Sequence, residues 1–117
     1  MDVAAKAALL CAACAAAFVD SGTPAEFEAG HVTGAFHLGP GERAAGLAPR
    51  LRSFATVIVY DRDPHCGLAG RVAAELAATG VQGVRVLEGA WPEWMARGAP
   101  GESGACTACE AVKAGAR

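Results

Sequence analysis

Thr56-Val57-Ile58-Val59-Tyr60 runs into Asp61-Arg62-Asp63-Pro64-His65-Cys66-Gly67, and that stretch runs into Leu68 to Thr79. The three pieces read as strand, loop and helix. The first is a continuous β-branched run, the pattern of a strand buried on both faces of a parallel sheet. The last carries Leu68, Val72 and Leu76 on one stripe and stops at Gly80. A polar loop joining a buried strand to a helix belongs to a parallel α/β sheet, whose sites lie where strands end and helices begin.

The same alternation extends outward. Upstream, Ala16 to Val19 is a short apolar strand ending at Asp20. Thr23 as N-cap, Pro24 at the first position, Glu26 at the third and Gly30 as stop mark a helix at both ends. Ala35 to Leu38 is a short strand candidate, Gly39-Pro40-Gly41 a turn, and Arg43 to Arg52 a helix weakened by Gly46 and Pro49. Asp2 to Cys14 is Ala/Leu-rich and helical by propensity. Downstream, Val84 to Leu87 is a strand and Pro92 to Arg97 a short helix closed by Gly98. The spacing predicts an α/β fold with a mostly parallel sheet of four or five strands and helices on both faces. Small and polar residues dominate the C-terminal end, so one domain is expected over 1–100 and a flexible tail over 101–117.

The 117 residues suffice for one domain and not for two. Apolar residues make up 53%, but 29 positions are Ala, so much of that is small side chain. Ten Lys and Arg against 12 Asp and Glu give a net charge of -2, which excludes a strongly basic nucleic-acid binder. Ala7 to Val19 is too short to span a bilayer, which takes about 20 residues. It has the length of a signal-peptide core, but Asp2 sits where such a signal wants positive charge. The five Cys are an odd count without the spacing of a small secreted framework. A reduced, cytoplasmic chain is expected, with no membrane and no nucleic acid among its partners.

The loop after Tyr60 carries the candidate chemistry. A tight strand-to-helix loop turns backbone N–H groups toward the helix N-terminus and makes an anion cradle. Cys66 sits just before the helix, with His65 beside it and Arg62 and Arg71 nearby in sequence. A thiol in such a cradle has its pKa lowered and becomes a nucleophile; the plainer reading is a small residue near a helix start.

Three stretches in register resemble the rhodanese-like family. Phe18-Val19-Asp20 with Pro24-Ala25-Glu26-Phe27 and Gly30-His31-Val32-Thr33-Gly34-Ala35 is similar to the family's apolar-apolar-Asp-x-Arg-x-x-x-Glu-Phe/Tyr-x-x-Gly-His-Ile-Pro-Gly-Ala. Val57-Ile58-Val59-Tyr60 resembles the strand leading into the family's active-site loop. Leu87-Glu88-Gly89-Ala90 with Trp94, Gly98 and Pro100 is similar to Leu-x-Gly-Gly-x-x-x-Trp-x-x-x-Gly-x-Pro. The resemblance implies a sulfurtransferase-related domain whose active-site loop is Asp61, Arg62, Asp63, Pro64, His65, Cys66, Gly67 and Arg71.

The departures bear on activity. In sulfurtransferases of this family, a Cys directly after the strand takes sulfur from a donor and holds it as a persulfide. Here that position is Asp61, as in non-catalytic members. One branch of the family has a longer loop with a second Cys five residues after the first, and Cys66 falls there. Gly22 stands in place of the pattern's Arg, Thr33 in place of Pro, and Ala90 in place of the second Gly. The resemblance therefore implies a binding or regulatory module without ordinary thiosulfate sulfurtransferase activity. The alternative is a persulfide-forming enzyme or sulfur carrier with Cys66 as its catalytic nucleophile. No cofactor and no metal are implied. A sulfane-sulfur donor or small anion, and a protein, are the partners it suggests.

Rival readings are weaker. Gly39-Pro40-Gly41-Glu42-Arg43-Ala44 fits a dinucleotide-binding glycine motif, with Asp61 as ribose acid, but its helix is broken by Gly46 and Pro49. A phosphatase loop would need Cys-x5-Arg at the strand end, whereas Cys66 and Arg71 are Cys-x4-Arg and displaced from it. Cys11-x-x-Cys14 and Cys106-x-x-Cys109 are far from the compact spacing of a zinc site. The tail pair also admits a redox or sulfur-relay role. His31 is expected to tie its turn to backbone, and Trp91 and Trp94 to pack.

Overall fold

The computed structural model describes residues 16–39, 43–63, 67–87 and 89–104. The expected helix over Asp2 to Cys14, the turn residues Pro40 and Gly41, the loop residues Pro64, His65 and Cys66, and both CxxC pairs lie outside the described residues.

Four strands form one parallel sheet. They are β1 (Ala16–Asp20), β3 (Phe36–His37), β4 (Thr56–Tyr60) and β5 (Val84–Val86), in the order β3-β1-β4-β5. Strand β1 pairs with β4 along its whole length, from Ala16 opposite Thr56 to Asp20 opposite Tyr60. Val57, Ile58, Val59 and Tyr60 are fully buried. This is why the apolar run does not alternate: helices cover both of its faces.

On one face, α2 (Ala44–Leu51) and α3 (Leu68–Ala78) set Leu47, Ala48, Leu51, Ala69, Val72 and Leu76 against Val19, Val57 and Val59. Pro49 sits inside α2 and the helix holds, because its buried side chains are packed on α3 and the sheet. On the other face, α1 (Pro24–Ala29) and α4 (Ala90–Ala96) bring Phe27 and Trp94 against Phe18, Ile58 and Tyr60. The capping box of α1 is complete: Glu26 N–H donates to Thr23 Oγ1 at 3.2 Å and Thr23 N–H to Glu26 Oε1 at 2.9 Å. Trp94 is buried edge-on to Phe18 and donates from Nε1 to the Pro100 carbonyl at 2.6 Å.

A second, two-stranded sheet was not expected. Strand β2 (His31–Val32) pairs antiparallel with β6 (Gly101–Glu102). Its basis is polar. Buried His31 places Nδ1 2.7 Å from the Phe27 carbonyl and Nε2 3.2 Å from Glu102 Oε2. Glu102 also accepts the Gly34 N–H at 3.0 Å, and Gly104 N–H donates to the Glu28 carbonyl at 2.9 Å. Residues 101–104, assigned to the tail on composition, are therefore bonded to the body of the domain.

Candidate functional site

The C-terminal ends of β1 and β4 lie side by side at the centre of the sheet, and the chain turns away from it there in both strands. Ser21 ties the two exits together. Its Oγ donates to the Tyr60 carbonyl at 3.0 Å and stands 3.3 Å from Asp61 Oδ1.

Asp61, the first residue after β4, is 6% exposed. Its Oδ1 accepts the backbone N–H of Ala69 at 2.7 Å, and its own carbonyl accepts the Trp91 N–H at 2.9 Å. Helix α3 begins after Gly67, an N-cap residue with φ 79° and no side chain to cap with. Ala69 is the second residue of the helix, one of those whose N–H an N-cap oxygen ordinarily satisfies. Asp61 does this from eight positions upstream, and places its negative charge at the positive end of the helix dipole.

Arg62 does not face the same way. Its Nη1 donates to Asp20 Oδ2 at 2.6 Å and to the Gly30 carbonyl at 2.8 Å, while Nη2 reaches the Glu26 carbonyl at 3.0 Å. Its Cζ lies 5.0 Å from the centre of the Trp91 ring, within range of a cation–π contact. Asp20 is fully buried, and its other oxygen accepts the Gly22 N–H at 2.7 Å. The Arg62 guanidinium, near Cys66 in sequence, is thus committed to Asp20 and to the end of α1.

Tyr60 completes the buried polar group. Its hydroxyl accepts the Val32 N–H at 3.0 Å. Burial, and then the Asp20 charge, push its ionisation far above the ordinary phenol value.

Of the sequence-nominated loop residues, Asp61 and Arg62 are partly or fully enclosed, whereas Asp63, Gly67 and Arg71 are exposed. Arg71 stands on the first turn of α3. Pro64, His65 and Cys66 lie outside the described residues. Ser21, Asp20 and Trp91 were not nominated. Ser21 directly follows an acid at a strand end, which is a signal that sequence alone carries; the contact of Trp91 with Arg62 has no local signature. Among the described residues, no three His, Cys, Asp or Glu side chains gather as a metal site, and no helix is long and apolar enough to cross a membrane.

Solved structures share this fold. A Bacillus halodurans protein superposes with a TM-score of 0.79 at 21% identity, over 88% of this chain and 75% of that one. The rhodanese-like domain of an Anabaena protein gives 0.76 at 20% identity, over 88% of this chain and 77% of its own. A thiosulfate sulfurtransferase from Pseudomonas aeruginosa gives 0.76 at 23%, covering 89% of this chain and 19% of that much longer one. No curated protein matches. The family model described as "Rhodanese-like domain" matches residues 3–97. With the β1–β4 exits, the strand-to-helix loop and that match in agreement, the chain belongs to the rhodanese-like domain family.

Proposed function

We propose that this domain is a binding or regulatory rhodanese module that does not carry out ordinary thiosulfate sulfurtransfer. The observation that supports this reading is the 2.7 Å bond from Ala69 N–H to Asp61 Oδ1. A thiolate at position 61 could attack the sulfane sulfur of a donor, break its sulfur–sulfur bond and keep that sulfur as a persulfide. A carboxylate offers no sulfur to form that bond. Its charge also takes up a helix N–H that would otherwise face a bound anion. An external anion such as thiosulfate meets a negative group already seated there.

The cradle is thus filled from within, which favours a protein over a small anion as the partner. The exposed rim of the loop, with Asp63, Gly67 and Arg71, is the surface left to present to it. The setting proposed is the reducing cytoplasm.

The test is sulfur loading. Purified protein, Cys66→Ser and Asp61→Cys are each treated with thiosulfate, then analysed by intact mass and peptide mapping. The module reading expects no added sulfur on the parent or on Cys66→Ser, and a persulfide on Asp61→Cys. Stable sulfur on Cys66 of the parent, lost in Cys66→Ser, would overturn it in favour of a sulfur carrier working through Cys66.

A further inference from the structure

Position 22 holds a glycine for want of space, not for want of backbone freedom. The residue is buried, and its backbone does not lie in the left-handed region that glycine favours. A Cβ added there would stand 2.6 Å from both Cγ and Cδ of Arg62, with Asp20 Oδ1 next at 3.0 Å. The volume that a side chain at position 22 would enter is filled by the stem of Arg62. The resemblance places an Arg at position 22; this chain has a Gly there and an Arg in the loop.

We propose that Arg62 supplies from the loop the guanidinium that the family pattern carries at position 22, and in doing so positions the loop. Its fork bonds Asp20 Oδ2, the Gly30 carbonyl and the Glu26 carbonyl. The last turn of α1 has no basic residue of its own, so Arg62 provides the cation for the negative end of that helix. An arginine at position 22 could serve Asp20 and α1 without touching the loop. Arriving from position 62 has a second effect. Asp61 is bonded to the start of α3 and Arg62 to the end of α1, so two consecutive side chains anchor the start of the loop to two different helices. Trp91, under the guanidinium and bonded through its N–H to the Asp61 carbonyl, links the two anchors. The exchange stands for a silent loop and for a sulfur-loading loop alike.

A double-mutant cycle tests it, with urea unfolding and amide hydrogen exchange as readouts. Arg62→Ala leaves Asp20 buried without its cation, and Gly22→Arg collides with Arg62, so each alone lowers the unfolding midpoint. The double variant Gly22→Arg/Arg62→Ala is expected to recover. Its folding constant should exceed the product of the two single effects by at least about tenfold, or ~1.4 kcal/mol of coupling. The recovered protein should still exchange the Asp63 and Gly67 amides faster than the parent, because the guanidinium no longer anchors the loop. Should Arg62→Ala fail to fold, folding of the double variant is the rescue, and its continued failure overturns the proposal. Additive losses overturn the exchange. Parent-like exchange at Asp63 and Gly67 in a recovered double variant overturns the positioning role.

Discussion

Asp61 and Ala69 are eight residues apart and bonded at 2.7 Å, so that the first residue after β4 serves as the N-terminal cap of the following helix. Gly67, at the structural cap position, has no oxygen to offer. The bond therefore carries the energy of an ordinary cap, in a site that is nearly closed to water. Replacing Asp61 by Ala leaves the Ala69 N–H without its carboxylate partner and is expected to lower unfolding stability by about 1–2 kcal/mol. Asp61→Asn keeps a carbonyl oxygen in place and loses less. Urea unfolding of the three proteins checks the order. Equal stability of the Ala variant and the parent would refute the cap.

Tyr60 is the single tyrosine of the chain, so its titration is read without overlap from another phenol. Burial and the neighbouring Asp20 raise its pKa above the ordinary 10.0. The sign follows from linkage: a group whose ionisation is deferred by folding adds stability below its unfolded value and loses it as pH climbs above. Phenolate absorbance is expected to stay silent in the native protein above pH 10.0 and to appear only as the chain unfolds in alkali. A reversible phenolate step with native circular dichroism retained would contradict the burial.

Glu102 joins β6 to the domain through two bonds, one to buried His31 and one to the Gly34 N–H. Removing the carboxylate leaves the His31 Nε2 with no partner among the described residues. Glu102→Ala is expected to lower stability by about 1–3 kcal/mol, the cost of an orphaned buried polar group. Glu102→Gln, which can still bond both, is expected to lose less. If the Ala variant unfolds with the parent, the Glu102 carboxylate contributes nothing to the domain's stability.

What the sequence disclosed, and what it withheld, divides by distance along the chain. Strand β4 was legible residue by residue, because a run of β-branched residues admits few other readings. Helix α1 was legible from its capping box, since those bonds span three residues. The pairing of β2 with β6 was not. Two-residue strands have no period to detect, and the partners of His31 and Glu102 are 71 residues apart. The same limit hid the end point of Arg62, whose partner Asp20 lies 42 residues upstream. The strand and helix that flank the loop, ending at Tyr60 and starting at Leu68, were legible from their order and patterning. The directions of its side chains depended on contacts that only the folded chain brings together.

Ala90 is the one non-glycine among the described residues with positive φ, at 57°. It follows Gly89, whose φ is 78° and whose added Cβ would stand 2.5 Å from Glu93 Cβ. The methyl of Ala90 is 2% exposed. Replacing Ala90 by Gly would relieve left-handed strain of about 1–2 kcal/mol. It would also forfeit about 0.8 kcal/mol of buried methyl and about 0.4–1 kcal/mol through the looser unfolded chain. These terms oppose each other, so Ala90→Gly is expected to change stability by less than about 1 kcal/mol in either direction. Ala90→Val meets no such compensation: a β-branched side chain in the left-handed region of a closed site is expected to cost about 2 kcal/mol or more. Thermal or urea unfolding of both variants separates the cases, and a valine variant as stable as the glycine one would mean that the backbone at the start of α4 is not held where the structure places it.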